Sequence, residues 1–142
     1  MTSFADSSFL FSLYVQDANS AAAVSRMKNA ILPLLFTDLG ELEIANGVAL
    51  RLFRKELQPL EARHALALFR RDTETGVVRI TPLPSSAYQQ AAQIAARHTP
   101  ALGTRTLDVL QVASALVLKA DIFYTFDRKQ AKLASTLGLR VH

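Results

Sequence analysis

Five short apolar runs, Ser3 to Ala5, Leu34 to Phe36, Val77 to Ile80, Ile122 to Phe126 and Leu139 to Val141, are separated by longer segments rich in alanine and leucine at helical spacing. This alternation constrains the chain more than any other feature. Short runs with little polar alternation suit strands buried on both faces, and such strands belong to parallel sheets whose crossovers are helices. The expected fold is therefore α/β, a three-layer α/β/α sandwich around a mainly parallel, twisted sheet of about five strands. Right-handed crossovers would bring the loops leaving the carboxyl ends of the strands to one edge, where open α/β sheets carry their sites. With 142 residues and no repeat or low-complexity linker, the chain reads as one domain over 1–142.

Local signals divide the segments further. Asp17-Ala18-Asn19-Ser20 starts a helix expected to end near Asn29, and Pro59 sits in the first turn of a helix carrying Leu60, Ala65, Leu66 and Phe69. Thr81 to Ser86 reads as a turn and cap before YQQAAQIAARH, and Pro33 places the start of the second strand after itself. No cysteine is present, which excludes disulfides and thiolate metal sites and fits a reducing compartment. The apolar run at 9–15 is far shorter than a bilayer span and follows no basic segment, so a soluble, cytoplasmic protein without membrane attachment is expected. A net charge of +4, with basic residues crowding Arg51 to Arg71 and Arg128 to Arg140, suits a polyanionic partner and equally suits solvated helix faces.

The acids are few enough, twelve in all, for each to be asked its purpose. Asp38 reads as a helix cap, with Glu41 completing a capping box. Glu43 has no such role and stands beside Asn46 at one edge of a stripe formed by Leu42, Ala45, Ala49, Leu52 and Phe53. Asp108 opens the segment LDVLQVASALVLKAD, apolar nearly all round, with Gln111 one turn on; Thr106 or Asp108 itself is a candidate cap. Asp6 and Asp127 each follow an apolar strand, where an aspartate serves equally as a helix N-cap or as a ligand. Carboxylates gathered at one sheet edge cannot all ionise without a cation, because like charges raise one another's pKa. With only oxygen donors to offer, such a cluster selects a hard ion, Mg²⁺ or Mn²⁺.

These residues carry a resemblance to a known family. FADSSFL near the start, GELEIANGVAL after the second strand and the block TRTLDVLQVASALVLKADIFYTFDRKQAKLASTLGLRV resemble a PIN domain of the VapC-like branch of small metal-dependent ribonucleases, over essentially the whole chain. The resemblance implies an acidic metal cluster of Asp6, Glu43, Asp108 and Asp127, with Ser8, Asn46 and Thr125 as supporting or phosphate-contacting residues. Gln111 departs from the histidine that many relatives carry three residues after the third acid. The resemblance further implies an endoribonuclease using Mg²⁺ or Mn²⁺ on single-stranded or loop RNA, the toxin of a VapBC-type pair, with a small antitoxin partner and a homodimeric state. A standalone RNA-processing nuclease and a catalytically silent RNA- or protein-binding domain remain as alternatives. A phosphoacceptor domain is disfavoured, since no acid directly follows the third strand.

Overall fold

A computed structural model describes residues 1–142. Five strands, β1 (Ser3–Ala5), β2 (Leu34–Thr37), β3 (Val78–Thr81), β4 (Ile122–Tyr124) and β5 (Arg140–Val141), form one sheet in the order β3-β2-β1-β4-β5, and every pairing is parallel. Seven helices connect and follow them: α1 (Ser7–Tyr14), α2 (Ser20–Met27), α3 (Asp38–Phe53), α4 (Pro59–Glu74), α5 (Ser86–Leu102), α6 (Thr106–Val117) and α7 (Arg128–Thr136). The chain moves outward from central β1 through β2 to β3, then returns to build β4 and β5 on the other side. Right-handed crossovers made in opposite directions put their helices on opposite faces, which gives the three-layer sandwich.

Strand pleating divides the core in two. Phe4 and Phe123, in register and stacked at 5.6 Å, project into the layer of α5, α6 and α7, where they meet Ala87, Val112 and Leu133. Their neighbours Ala5, Ile122 and Tyr124 project the other way, with Leu34 and Phe36, onto Phe9 and Leu10 of α1, Ile44 of α3 and Phe69 of α4. Helix α6 is the most enclosed helix, buried without interruption from Val109 to Ala115, as its all-round apolar sequence requires. No helix is long and apolar enough to cross a membrane.

Several boundaries and faces differ from expectation for local reasons. The strand expected over 122–126 ends at Tyr124: Thr125 N–H still reaches the His142 carbonyl at 3.0 Å, and beyond it side chains capture the amides, Phe126 N–H donating to Ser8 Oγ at 3.0 Å and Asp127 N–H to Thr125 Oγ1 at 2.9 Å. The cap of α3 is Thr37, whose Oγ1 accepts from Gly40 N–H, and not Asp38. Asp38 instead accepts from Leu83 N–H at 2.9 Å, tying α3 to the segment after β3, and the Asp38–Glu41 capping box does not form. The N-cap position of α6 is Arg105 rather than Thr106, and Asp108 contributes to the cap from the first turn by accepting from Arg105 N–H.

Most of the apolar stripe read on α3 faces outward: Leu42 is 65% and Phe53 83% exposed, and Ala45 and Ala49 are exposed with them, while Leu52 packs beside Val48. The face turned inward carries Gly40, Ile44 and Val48. Part of that face is a glycine that carries no apolar side chain and packs against the sheet: a Cβ at Gly40 would collide with the Phe36 ring.

Candidate active site

The carboxyl ends of β1 and β4 lie side by side at the point where the chain reverses its direction of sheet building. Ligand crevices open at such points in α/β sheets. A cleft of about 470 Å³ opens beside these ends, and its walls include Ser7 and Ser8 of α1, Glu43 of α3, Asp108 of α6, Asp127, and Gln130 of α7. Asp6, directly after β1, lies 0% exposed beside Ser8.

Asp6 is held from three sides. Its Oδ1 accepts from Phe9 N–H at 2.9 Å, which caps α1, and from Ser8 Oγ at 2.7 Å; its Oδ2 accepts from Thr125 Oγ1. Burial pushes its carboxyl up to about 6, against the lowering effect of the Thr125, Phe9 and Ser8 bonds, and the nearby Asp127 charge adds to the rise. Ser8 and Thr125 lie 3.3 Å apart and fasten the start of α1 to the end of β4.

The remaining acids come from three further helices. Glu43, in the second turn of α3, accepts from Gln111 Nε2 of α6 at 2.5 Å. Burial raises its pKa, the Gln111 and Ser7 bonds lower it, and the Asp108 charge raises it. Asp108, in the first turn of α6, accepts from Arg105 N–H at 3.3 Å and from Gln130 Nε2 at 3.0 Å. Burial, then the Asp127 charge, raises its pKa against the lowering effects of Arg105 and Gln130. Asp127 caps α7 by accepting from Gln130 N–H at 2.8 Å. The mutual Coulomb effects link Asp6 to Asp127, Asp127 to Asp108, and Asp108 to Glu43.

As the side chains stand, no three Asp, Glu, His or Cys groups are drawn closely enough together to form a ligating cluster. Glu43, Asp108 and Asp127 line the cleft with Asp6 buried beside it, and each of three acids has its own partners: Asp6 is held by Ser8 and Thr125, Glu43 by Gln111 and Asp108 by Gln130. Glu41 faces a separate depression beside Phe69 and Arg70, so the acid of α3 that reaches the cleft is Glu43. Asn46 does not line the cleft; it is exposed on the outer face of α3 with Ala45 and Ala49.

Other residues reach the cleft without a signal in the local sequence. Arg51, two turns beyond Glu43, is its single cationic wall residue; its guanidinium lies 4.9 Å from the Phe11 ring centroid and its Nε 3.4 Å from Glu56. Asp17 joins the wall from the α1–α2 connection, held by Ser12 Oγ at 2.8 Å. On the far side of the Asp127 loop, Arg26 stacks over Phe126 at 4.4 Å and donates to the Thr125 carbonyl.

Comparison with protein families adds a match to the PIN domain over residues 3–135. The chain belongs to the PIN domain family. Solved structures with the same fold include VapC20 of Mycobacterium tuberculosis, described as a toxin that cleaves the sarcin–ricin loop, at 21% identity and a TM-score of 0.71, covering 97% of this chain and 96% of that one. FitAcB of Neisseria gonorrhoeae matches at 18% identity and a TM-score of 0.64, covering 97% and 94%. PAE2754 of Pyrobaculum aerophilum matches at 14% identity and a TM-score of 0.63, covering 99% and 89%. A comparison with curated protein sequences found no match. In this PIN domain, of the acids expected from sequence, Glu43, Asp108 and Asp127 line the cleft at the β1–β4 edge, and Asp6 lies buried beside it under Ser8.

Proposed function

We propose that this PIN domain is a metal-dependent endoribonuclease that cleaves single-stranded or loop RNA and serves as the toxin of a VapBC-type toxin–antitoxin pair. The observation that carries the reading is the electrostatics of the cleft: Asp6, Glu43 and Asp108 have proton affinities raised by burial and by neighbouring carboxylates. Such a site favours a cation, and an all-oxygen donor set free of sulfur and imidazole fits Mg²⁺ or Mn²⁺. Bound there, a divalent ion would activate water and neutralise charge gathering on a phosphodiester under attack.

The chain's own residues supply the rest. Ser8 and Thr125 fix Asp6, while Arg51 offers a guanidinium whose two Nη groups remain available to a phosphate oxygen in an otherwise anionic cleft. Exposed arginines and lysines around the cleft would neutralise backbone phosphates, with base choice falling to unstacked nucleotides. The likeness to VapC20, described as a toxin that cleaves the sarcin–ricin loop, supports this substrate class, and its description as a toxin is in keeping with a small antitoxin as partner. The outward apolar face of α3, with Leu42 and Phe53 exposed, supports a homodimer in which a second copy covers it.

Purified protein is expected to cut single-stranded RNA with Mg²⁺ or Mn²⁺ and to stop on chelation, with Asp108→Asn lowering the rate at least 100-fold while circular dichroism is unchanged. Undiminished cleavage by Asp108→Asn would remove the acid cluster from the chemistry; RNA binding without cleavage under all metals would favour the silent binding domain.

A further inference from the structure

Two buried glutamines stand behind the carboxylates. Gln111 of α6 is 1% exposed and donates from Nε2 to Glu43 Oε1; Gln130 of α7 is 5% exposed and donates from Nε2 to Asp108 Oδ1, while its backbone N–H serves Asp127. In both, the amide oxygen Oε1 is buried without a donor. We propose that Gln111 and Gln130 are positioning residues that hold Glu43 and Asp108 toward the cleft without discharging them, an inference that rests on the metal-dependent reading above.

The physical case begins with what else could fill these sites. Lysine or arginine behind a carboxylate would orient it but cancel the charge needed for a cation. A leucine or methionine would leave the charge but not the orientation. A primary amide gives a charge-assisted hydrogen bond and adds no charge of its own. Its orientation is determined as well, since turning the amide would set a carbonyl oxygen against a carboxylate oxygen.

The arrangement also spans the fold in sequence: the acid of α3 is held from α6, and the acid of α6 is held from α7. Three helices are thereby locked in relative position at the cleft. The orphaned oxygens point to the same conclusion. An unsatisfied buried acceptor destabilises a fold, so a glutamine kept for stability alone would be poorly placed at either position.

Gln111→Met and Gln130→Met, similar in volume, separate positioning from packing when made in the full chain. Each variant is expected to match or exceed the wild type in metal-free thermal stability, yet to bind Mn²⁺, read by electron paramagnetic resonance of the free ion, roughly 10- to 100-fold more weakly. Wild-type Mn²⁺ affinity in both variants, or affinity lost only in step with stability, would overturn the proposal. A wild type that binds no Mn²⁺ would instead overturn the metal reading. The positioning is then decided without metal by side-chain amide NMR: the Gln111 resonance is expected to move in Glu43→Gln alone and the Gln130 resonance in Asp108→Asn alone, and resonances indifferent to both changes would overturn it.

Discussion

Asp6 shows how one side chain can be both structural and chemical. As the cap of α1 it satisfies Phe9 N–H, and as a fully buried acid with a carboxyl near 6 it carries a charge that the metal-free fold resists. A raised folded-state pKa means that the native protein holds the proton more tightly than the unfolded chain. Asp6 therefore adds stability below its unfolded value of 3.8, and that contribution is lost as pH rises through about 6. Asp6→Asn keeps an acceptor for Phe9 and Ser8 and presents an amide to Thr125. In metal-free urea unfolding near pH 7 it is expected to be more stable than the wild type by roughly 2 to 3 kcal/mol, with the gap closing toward pH 4. Equal stabilities at pH 7 would show that Asp6 ionises without cost. At this scale the sequence was informative about the acids and pointed to Gln111 one turn after Asp108, but was silent about Gln130 and Arg51: Asp6 and Asp127 followed predicted strands, whereas Gln130 and Arg51 reach the cleft only through contacts between helices distant in sequence.

At the level of elements, the site is a meeting of helix starts. Asp6 caps α1, Asp127 caps α7, and Asp108 accepts from Arg105 N–H at the start of α6, so three positive helix ends face the same group of carboxylates. Those ends partly offset the repulsion among the acids. The choice between cap and ligand that each acid posed in the sequence was therefore not a choice for Asp6 and Asp127. Helix α3 joins through its side rather than its end, and its seat depends on glycine. With Gly40 pressed against the buried Phe36 ring, Gly40→Ala is expected to lose about 1 to 3 kcal/mol by overpacking, although alanine favours helix by about 1 kcal/mol elsewhere. A denaturation midpoint equal to or above wild type would contradict that seat. The helical periodicity of Leu42, Ala45, Ala49, Leu52 and Phe53 is real, but only Leu52 of that stripe packs against the core, and the other four mark the outer face.

For the whole molecule, the alternation of short strands and long helices sufficed to anticipate a parallel five-stranded sheet and the edge at which the acids meet. Each strand and helix carries its own pattern in sequence, and right-handed crossovers leave few ways to connect them. What sequence could not resolve was the set of side-chain partners across that edge, because Glu43 with Gln111 and Asp108 with Gln130 pair between different helices. The central claim is that this edge of the PIN domain is a cation site, in which burial makes Asp6, Glu43 and Asp108 hold protons more tightly than free carboxyls do. Titration calorimetry of Mn²⁺ into the metal-free protein near pH 6, in two buffers of different ionisation enthalpy, tests it most directly. Binding is expected to release protons, with the release shrinking toward pH 8, and Asp108→Asn is expected to weaken it strongly. Absence of binding, or binding without proton release that Asp108→Asn leaves unchanged, would contradict the claim.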